Sequence, residues 1–282
     1  MRYKYCYNGK SSPTLIDWLE QNKIKYTLVG GSFMPELVCF TILSSMPNSG
    51  MLIAQLGKMN VTQTTITAEY TPAELSKADW LVIRPKKQCI DIINRADAYS
   101  YSCRWTTSAG LRKARHEVQK SLFTIAKEPS VKTSTAFWAP DTGFSEIFTD
   151  QRIVDLAKEN NLVGIDFKNV LLKNGDVSQS LYQITARHVL DRDFISFGHG
   201  EKHLTCPICG KSQYYINDAY QLHLAISKVN EENDLYITER IFGEGRAYPL
   251  YVISQRLYQM IRSHNLAGNL MISPVVNVDP HR

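Results

Sequence analysis

DQRIVDLAKENNLVG, residues 150–164, is followed 104 residues later by the similar stretch SQRLYQMIRSHNLAG, residues 254–268. Five aligned positions are identical, namely Gln151/Gln255, Arg152/Arg256, Asn161/Asn265, Leu162/Leu266 and Gly164/Gly268. Each stretch begins with a residue type that caps helix N-termini and ends near Asn and Gly, which favour helix ends. Apolar residues recur at helical spacing between those ends, so each stretch is predicted to form an amphipathic helix of about three turns. We interpret the pair as a diverged duplication; a chance match between two amphipathic helices is the alternative.

Segments with strand character flank both predicted helices. They cover residues 144–148 and 165–172 in the first copy, and residues 250–253 and 270–278 in the second. Further strands are predicted at residues 179–190 and 235–242. The fold class is therefore α+β, with mixed sheets, flanking helices and a possible strand–helix–strand duplication. Gly164 and Gly268 follow the helices and are both expected to have a positive φ.

Charge and length predict two domains. The chain has 282 residues, and a typical domain has roughly 150. Residues 1–130 contain 17 Lys and Arg against 10 Asp and Glu, whereas residues 131–282 contain 15 against 17. A turn-rich stretch at residues 129–143 coincides with this change. We therefore expect a basic α+β domain over residues 1–130 and a second α+β domain over residues 131–282.

The basic half also has its own predicted elements. Residues 13–22 predict a short amphipathic helix, and residues 37–43 and 51–56 predict a pair of strands joined by a turn. Residues 108–127 predict a helix because apolar residues recur there every three or four positions. One face of that helix would carry Arg112, Lys113, His116 and Lys120. A solvated basic face is the simpler interpretation, and contact with nucleic-acid phosphates is the alternative.

Cys206-Pro207-Ile208-Cys209-Gly210 has the form of a zinc knuckle, in which two thiolates reach one metal from a tight turn. A tetrahedral site needs two more ligands, and the sequence has no second CxxC. The candidates are His203 together with His199, or His223, and His203 and His223 are the most expected of them. Such zinc is expected to be structural; a metal-free remnant and a redox-active thiol pair are the alternatives. Four other cysteines are interpreted as small buried residues, namely Cys6, Cys39, Cys89 and Cys103.

Motifs of common enzyme classes are missing from the sequence. It has no GxSxG elbow, no GxxxxGK[ST] loop, no GxGxxG after a strand and no HExxH. The chain is therefore expected not to be an enzyme. It also has neither a signal peptide nor an apolar run of the roughly 18 residues that a membrane span requires, which predicts a cytoplasmic protein without a membrane anchor.

The second half resembles the bacterial double-CxxCG and related immunity proteins, which protect a producing cell from its own polymorphic toxin. The resemblance depends on residues 164–184 with the ending SLYQI, on CPICG at 206–210, and on IFG at 241–243 continuing through SQRL at 254–257 to Pro274-Val275. It implies a protein that binds a cognate toxin and occludes its active site or substrate entry. The second CxxCG of that family has no counterpart here. A zinc-supported nucleic-acid-binding protein is the alternative, although a nucleic-acid partner is less expected.

Overall fold

The computed structural model describes residues 2–8, 13–31, 34–59, 63–86, 88–106, 113–141, 146–191, 195–196, 201–215, 222–239, 242 and 248–278. The chain divides into two compact units. The first contains Met1–Leu75, and the second contains Ser76–Tyr215 and Leu222–Arg282. The boundary expected between residues 129 and 143 therefore lies inside the second unit. The change in charge composition does not mark the boundary between the units, because strands from residues 80–140 belong to the sheets of the second unit.

Within its described residues, the first unit has one antiparallel sheet and three helices. Its elements are β1 (Arg2–Asn8), α1 (Pro13–Gln21), β2 (Tyr26–Gly31), β3 (Met34–Leu43), α2 (Ser49–Lys58), β4 (Gln63–Glu69) and α3 (Pro72–Leu75), with the sheet order β2-β3-β1-β4. The strand predicted at residues 51–56 is wrong, because this segment belongs to α2. Leu52 and Leu56 lie one helical turn apart and are both buried, whereas a strand would place them on one face with Ala54.

Cys6 and Cys39 form a disulfide within this unit, with their Cα atoms 4.3 Å apart. They are direct partners in the register of β1 and β3. The interpretation of both as simple buried thiols is therefore wrong. Pairing across two strands 33 positions apart is a consequence of sheet register, which the spacing of the cysteines does not reveal.

The second unit contains most of the strands. Its elements are β5 (Trp80–Pro85), β6 (Gln88–Ile90), α4 (Arg95–Ala98), β7 (Tyr99–Thr106), β8 (Lys113–Gln119), β9 (Thr124–Ile125), β10 (Phe137–Pro140), β11 (Ile147–Asp150), α5 (Gln151–Glu159), β12 (Ile165–Leu172), β13 (Val177–Ala186), β14 (His188–Leu190), β15 (Ile195–Ser196), β16 (Glu201–Thr205), β17 (Ser212–Tyr215), β18 (His223–Leu224), β19 (Leu235–Thr238), β20 (Tyr251–Ser254), α6 (Gln255–Ser263), β21 (Leu270–Pro274) and β22 (Val276–Asn277). The predicted α+β class is confirmed.

Two mixed sheets dominate this unit. Their orders are β6-β10-β11-β13-β12-β9 and β14-β19-β20-β5-β21. A small sheet, β15-β18-β22, and the two hairpins β7-β8 and β16-β17 complete it. Within the described residues, no helix combines the length and the apolar character needed to cross a bilayer.

The two repeated stretches form matching helices. α5 and α6 each have nine residues, and each is capped as expected: the Asp150 carboxylate accepts from the Arg152 N–H, and the Ser254 hydroxyl accepts from the Leu257 N–H. In each copy, the strands before and after the helix lie on either side of a third strand, which is antiparallel to both. This central strand is β13, between β11 and β12, in the first copy and β5, between β20 and β21, in the second. The central strand follows the first copy in the chain but precedes the second.

The expectation of a positive φ at both glycines is wrong for Gly268. Gly164 has a φ of +81°, whereas Gly268 lies outside the left-handed region. Asn161 and Asn265 are the equivalent left-handed residues, with φ of 49° and 57°. Glycine is required at position 268 because the backbone passes close to Ser134 there: an added Cβ would lie 2.9 Å from the Ser134 carbonyl oxygen. The duplication therefore stays a prediction, supported by the helices and contradicted at this glycine.

Each copy also contacts a loop that leads into a strand of the other copy's sheet. Before β19, the Asp234 N–H donates to the carbonyl of Val163 at 2.8 Å. Before β10, Thr135 forms a bridge with Ala267. Since Val163 and Ala267 are equivalent positions in the two stretches, the contacts are reciprocal. Such exchange fixes the two sheets of this unit against one another.

Candidate metal centre and adjacent cavity

The hairpin β7-β8 places Cys103 beside His116. The two residues are direct cross-strand partners, after a bulge between Tyr101 and Cys103. Side chains of directly opposed residues lie on the same face of a sheet, so the thiol and the imidazole face one direction. Both side chains are buried. At the base of the hairpin, the Lys120 N–H donates to the carbonyl of Ala98 at 2.8 Å, which closes the pair of strands.

The hairpin β16-β17 carries the two remaining cysteines in its turn. Thr205 and Ser212 are the last paired residues before this turn. The Cys206 N–H donates to the Lys211 carbonyl at 2.8 Å, and the Gly210 N–H donates back to the Cys206 carbonyl at 2.9 Å. Gly210 has a φ of +71°, which glycine adopts without a steric penalty. The turn therefore has the tight geometry of a knuckle.

The two hairpins meet at these four side chains. The ligand atoms of Cys103, His116, Cys206 and Cys209 all lie within 4.8 Å of one another. The Cys209 Sγ lies 3.5 Å from the His116 Nδ1, and the Cys209 N–H lies 3.5 Å from the Cys206 Sγ. Three members are buried and Cys209 is exposed. The group could hold a metal ion, because three sulfurs and one imidazole nitrogen can surround a single cation.

Burial and hydrogen bonds shift the pKa values in this group. Burial and, to a smaller extent, the neighbouring thiols of Cys209 and Cys206 together raise the pKa of the Cys103 thiol to about 11. Burial also opposes ionisation of Cys206, but N–H groups of Cys209 and Ile208 point at its sulfur, and the pKa of Cys206 is lowered. Burial, followed by the charge of Lys211, lowers the pKa of His116. A neutral imidazole and a thiolate are the forms that bind metals.

The structure replaces part of the expected ligand set. Cys206 and Cys209 lie in the group, but His223 does not: it lies on β18, which pairs with β15 and β22. His203 is on β16, and its side chain is outside the described part of the chain. Cys103 is a buried free thiol, as expected, but it also belongs to this group, which the sequence did not indicate. The sequence signal for this residue was weak, because Cys103 and Cys206 are 103 positions apart in the chain.

The basic helical face is wrong as well. Residues 113–119 form the strand β8, and Arg112 lies outside the described residues. Lys113 lies on this strand, and its side chain is outside the described part of the chain. His116 is buried at the metal centre, and Lys120 is exposed beyond the strand end. His116 and Lys120 therefore do not share one exposed helical face.

A cavity of about 670 Å³ lies directly beside the centre. Three of its lining residues are exposed apolar side chains from separate elements: Val118 at 55%, Val189 at 62% and Ile208 at 59%. Four of its polar lining residues form two pairs with one another. Gln119 and Gln183 exchange two hydrogen bonds of 2.9 Å, and Lys211 forms an ion pair with Glu239. Buried Glu117 and three members of the candidate group, Cys103, His116 and Cys209, also line this cavity.

No protein-family model matches the chain, and no curated protein sequence matches it either. The resemblance to immunity proteins therefore stays a prediction, and what the chain does has to be argued from its own residues.

Proposed function

We propose that this chain is an immunity-type protein that binds a cognate protein toxin and blocks its active site or substrate entry, with no chemistry of its own. One observation carries the proposal: four side chains converge at the metal centre, and a cavity with an exposed apolar rim lies beside it. Exposed apolar side chains that cluster around a cavity are typical of a surface that binds another protein. The resemblance of CPICG and its surroundings to immunity proteins supports the same reading.

The metal in this proposal is Zn²⁺, and its role is structural. Three thiolates and one imidazole match the ligand preference of zinc. Four protein ligands complete a tetrahedral shell, so no position is left for a catalytic water or a substrate. Zinc bound in this way would link the hairpin β7-β8 to the hairpin β16-β17 and hold the rim residues Val118 and Ile208 in place.

The proposal is tested by pairing the chain with the toxin encoded beside its gene. The toxic C-terminal domain from that neighbouring gene is expressed in a sensitive host with and without this chain. We expect survival only when both are produced, and we expect the two proteins to co-purify. Binding should persist at moderate salt, as expected for a protein interface; a nucleic-acid contact would weaken steeply. Death of the host despite equal expression of this chain would contradict the proposal.

A further inference from the structure

We propose that the Cys6–Cys39 disulfide is a site of thiol–disulfide exchange, and that the basic cavity around it selects small anionic thiols as the reductant. The proposal does not depend on the proposed function, because every residue that it uses lies in the first unit and the metal centre lies in the second. It gives the first unit a reactive site and a class of co-substrate.

The disulfide lies on the face of the first unit's sheet that the helices leave open. Tyr5 precedes Cys6 on β1 and belongs to a core cluster with Leu15 of α1 and Leu52 of α2. Successive side chains of a strand point to opposite faces, so the helices cover the face of Tyr5 and Cys6 lies on the other. Cys39 is the direct partner of Cys6 on β3. Both cysteines are half-buried and line one cavity of about 580 Å³, so a small molecule can approach the disulfide.

The cavity is strongly basic. The described residues that line it include no carboxylate and four cationic side chains, namely Arg2, Lys4, Lys23 and Lys25. Glu69 lies outside the lining and forms ion pairs with Arg2 and Lys4. Lys23 and Lys25 are exposed, and neither forms an ion pair among the described residues. One carboxylate against four cations leaves three positive charges in excess beside the disulfide.

The exchange reaction has two steps. The thiolate of a small thiol attacks one sulfur of the disulfide and forms a new S–S bond, while the Cys6–Cys39 bond breaks and its electron pair leaves on the other cysteine as a thiolate. A second small thiolate then attacks the mixed disulfide and releases the first cysteine. Two small thiols are thereby oxidised to one small disulfide, the protein disulfide gains two electrons, and the two thiol protons end on the two cysteines.

The excess positive charge favours an anionic thiol in both steps. It raises the local concentration of the attacking thiolate, and it stabilises the cysteine thiolate that leaves. A carboxylate on the same small molecule adds a second negative charge, so such a thiol gains more from the cations than a neutral thiol does. The volume of the cavity lies within the range of small-molecule sites. We therefore expect the preferred reductant to be a small thiol that also carries a carboxylate.

The test measures how fast three small thiols open the disulfide in the full chain. They are mercaptopropionate, mercaptoethanol and cysteamine, whose second groups are anionic, neutral and cationic. The reaction is stopped with excess alkylating reagent, and mass spectrometry of the digested chain gives the fraction of Cys39 that has been freed. For each thiol, the rate is compared between the unchanged chain, Lys25→Glu and Lys58→Glu. Lys58 is an exposed lysine of the same unit that does not line the cavity.

We expect Lys25→Glu to slow mercaptopropionate by about threefold or more at low salt, because a positive charge at the cavity becomes negative. The same variant should slow mercaptoethanol less and cysteamine least. Lys58→Glu should leave all three rates nearly unchanged. Each comparison is made within one thiol, so differences in intrinsic reactivity between the thiols cancel. In the unchanged chain, added salt should slow mercaptopropionate and leave the rate with cysteamine nearly constant.

Equal slowing of all three thiols by Lys25→Glu, or the same effect from both variants, would overturn the selection of anionic thiols. Rates with mercaptopropionate that do not respond to salt would overturn it without any variant. A disulfide that opens only as fast as the chain unfolds would overturn the exchange site itself. Both replacements are at exposed side chains, and their thermal unfolding is compared with that of the unchanged chain to establish that they fold.

Discussion

Replacing Cys103 with serine should remove the metal from the whole chain, although Cys103 lies far in sequence from the CxxC motif. Its sulfur is one of four ligand atoms within 4.8 Å of one another. Serine is similar in size but is a poor zinc ligand, so the substitution leaves three ligands. Cys89→Ser is the matched control, because Cys89 is a half-buried thiol that belongs neither to the disulfide nor to the group.

The size of the effect follows from binding linkage. Loss of a hydrogen bond to a metal ligand already weakens metal affinity by roughly 10–100-fold, and loss of the ligand itself should exceed that. At fixed free zinc well above the dissociation constant, about 100-fold weaker binding lowers the free energy of unfolding by about 2.7 kcal/mol. The second unit has roughly 200 residues, a size at which this change lowers Tm by about 5–10 °C.

Two measurements check this prediction. Elemental analysis after purification without chelator should give about one zinc per chain for the unchanged protein and for Cys89→Ser, and much less for Cys103→Ser. Thermal unfolding is followed with and without a chelator. The difference in Tm between the unchanged chain and Cys103→Ser should disappear in chelator, because both proteins are then metal-free. A variant that keeps its zinc, or a Tm difference that survives chelation, would refute the reasoning.

Three further predictions concern the packing of the second unit. Asp234 is 2% exposed and accepts hydrogen bonds from Arg256, Ser254 and the Val163 N–H, so Asp234→Ala should lower the free energy of unfolding by about 2–3 kcal/mol in urea denaturation. Burial opposes ionisation of Asp234, but these partners outweigh it and lower the pKa of the folded state. The stabilisation from the carboxylate is therefore complete above the unfolded pKa of about 4 and is lost as the pH falls through the lower pKa of the folded state. The difference in free energy of unfolding between the unchanged chain and Asp234→Asn should shrink over that acid range. Gly268→Ala should destabilise by about 1–3 kcal/mol, because its Cβ would lie 2.9 Å from the Ser134 carbonyl oxygen; Gly50→Ala, which meets nothing within 4 Å, should not destabilise the chain. Met260→Ala should cost about 2–5 kcal/mol because Met260 is buried, whereas Leu156→Ala should cost less because the equivalent leucine is half-buried; equal losses in calorimetry would contradict this.

Local patterns determined the helices of the two repeated stretches. Capping residues, apolar spacing and the residues at the C-terminus act within one or two turns, so α5 and α6 could be predicted to within about a residue or two. The CxxC turn is also local, since Cys206, Gly210 and Lys211 close it among themselves. By contrast, residues 108–127 show helical spacing but contain the strands β8 and β9. Apolar periodicity is a weak guide where pairing with another strand and burial at a shared site favour a different conformation.

Only the tertiary structure determined the composition of the metal centre. Cys206 and Cys209 are visible in the sequence as a pair, but Cys103 and His116 join the candidate group because β7 and β8 pair in one register. A shift of one residue in that register would place one of the two side chains on the opposite face. The same holds for the Cys6–Cys39 disulfide and for the boundary after Leu75, which depend on strands that pair across long stretches of chain. Sequence encodes such contacts through the energy of the whole fold, and no local pattern reveals them.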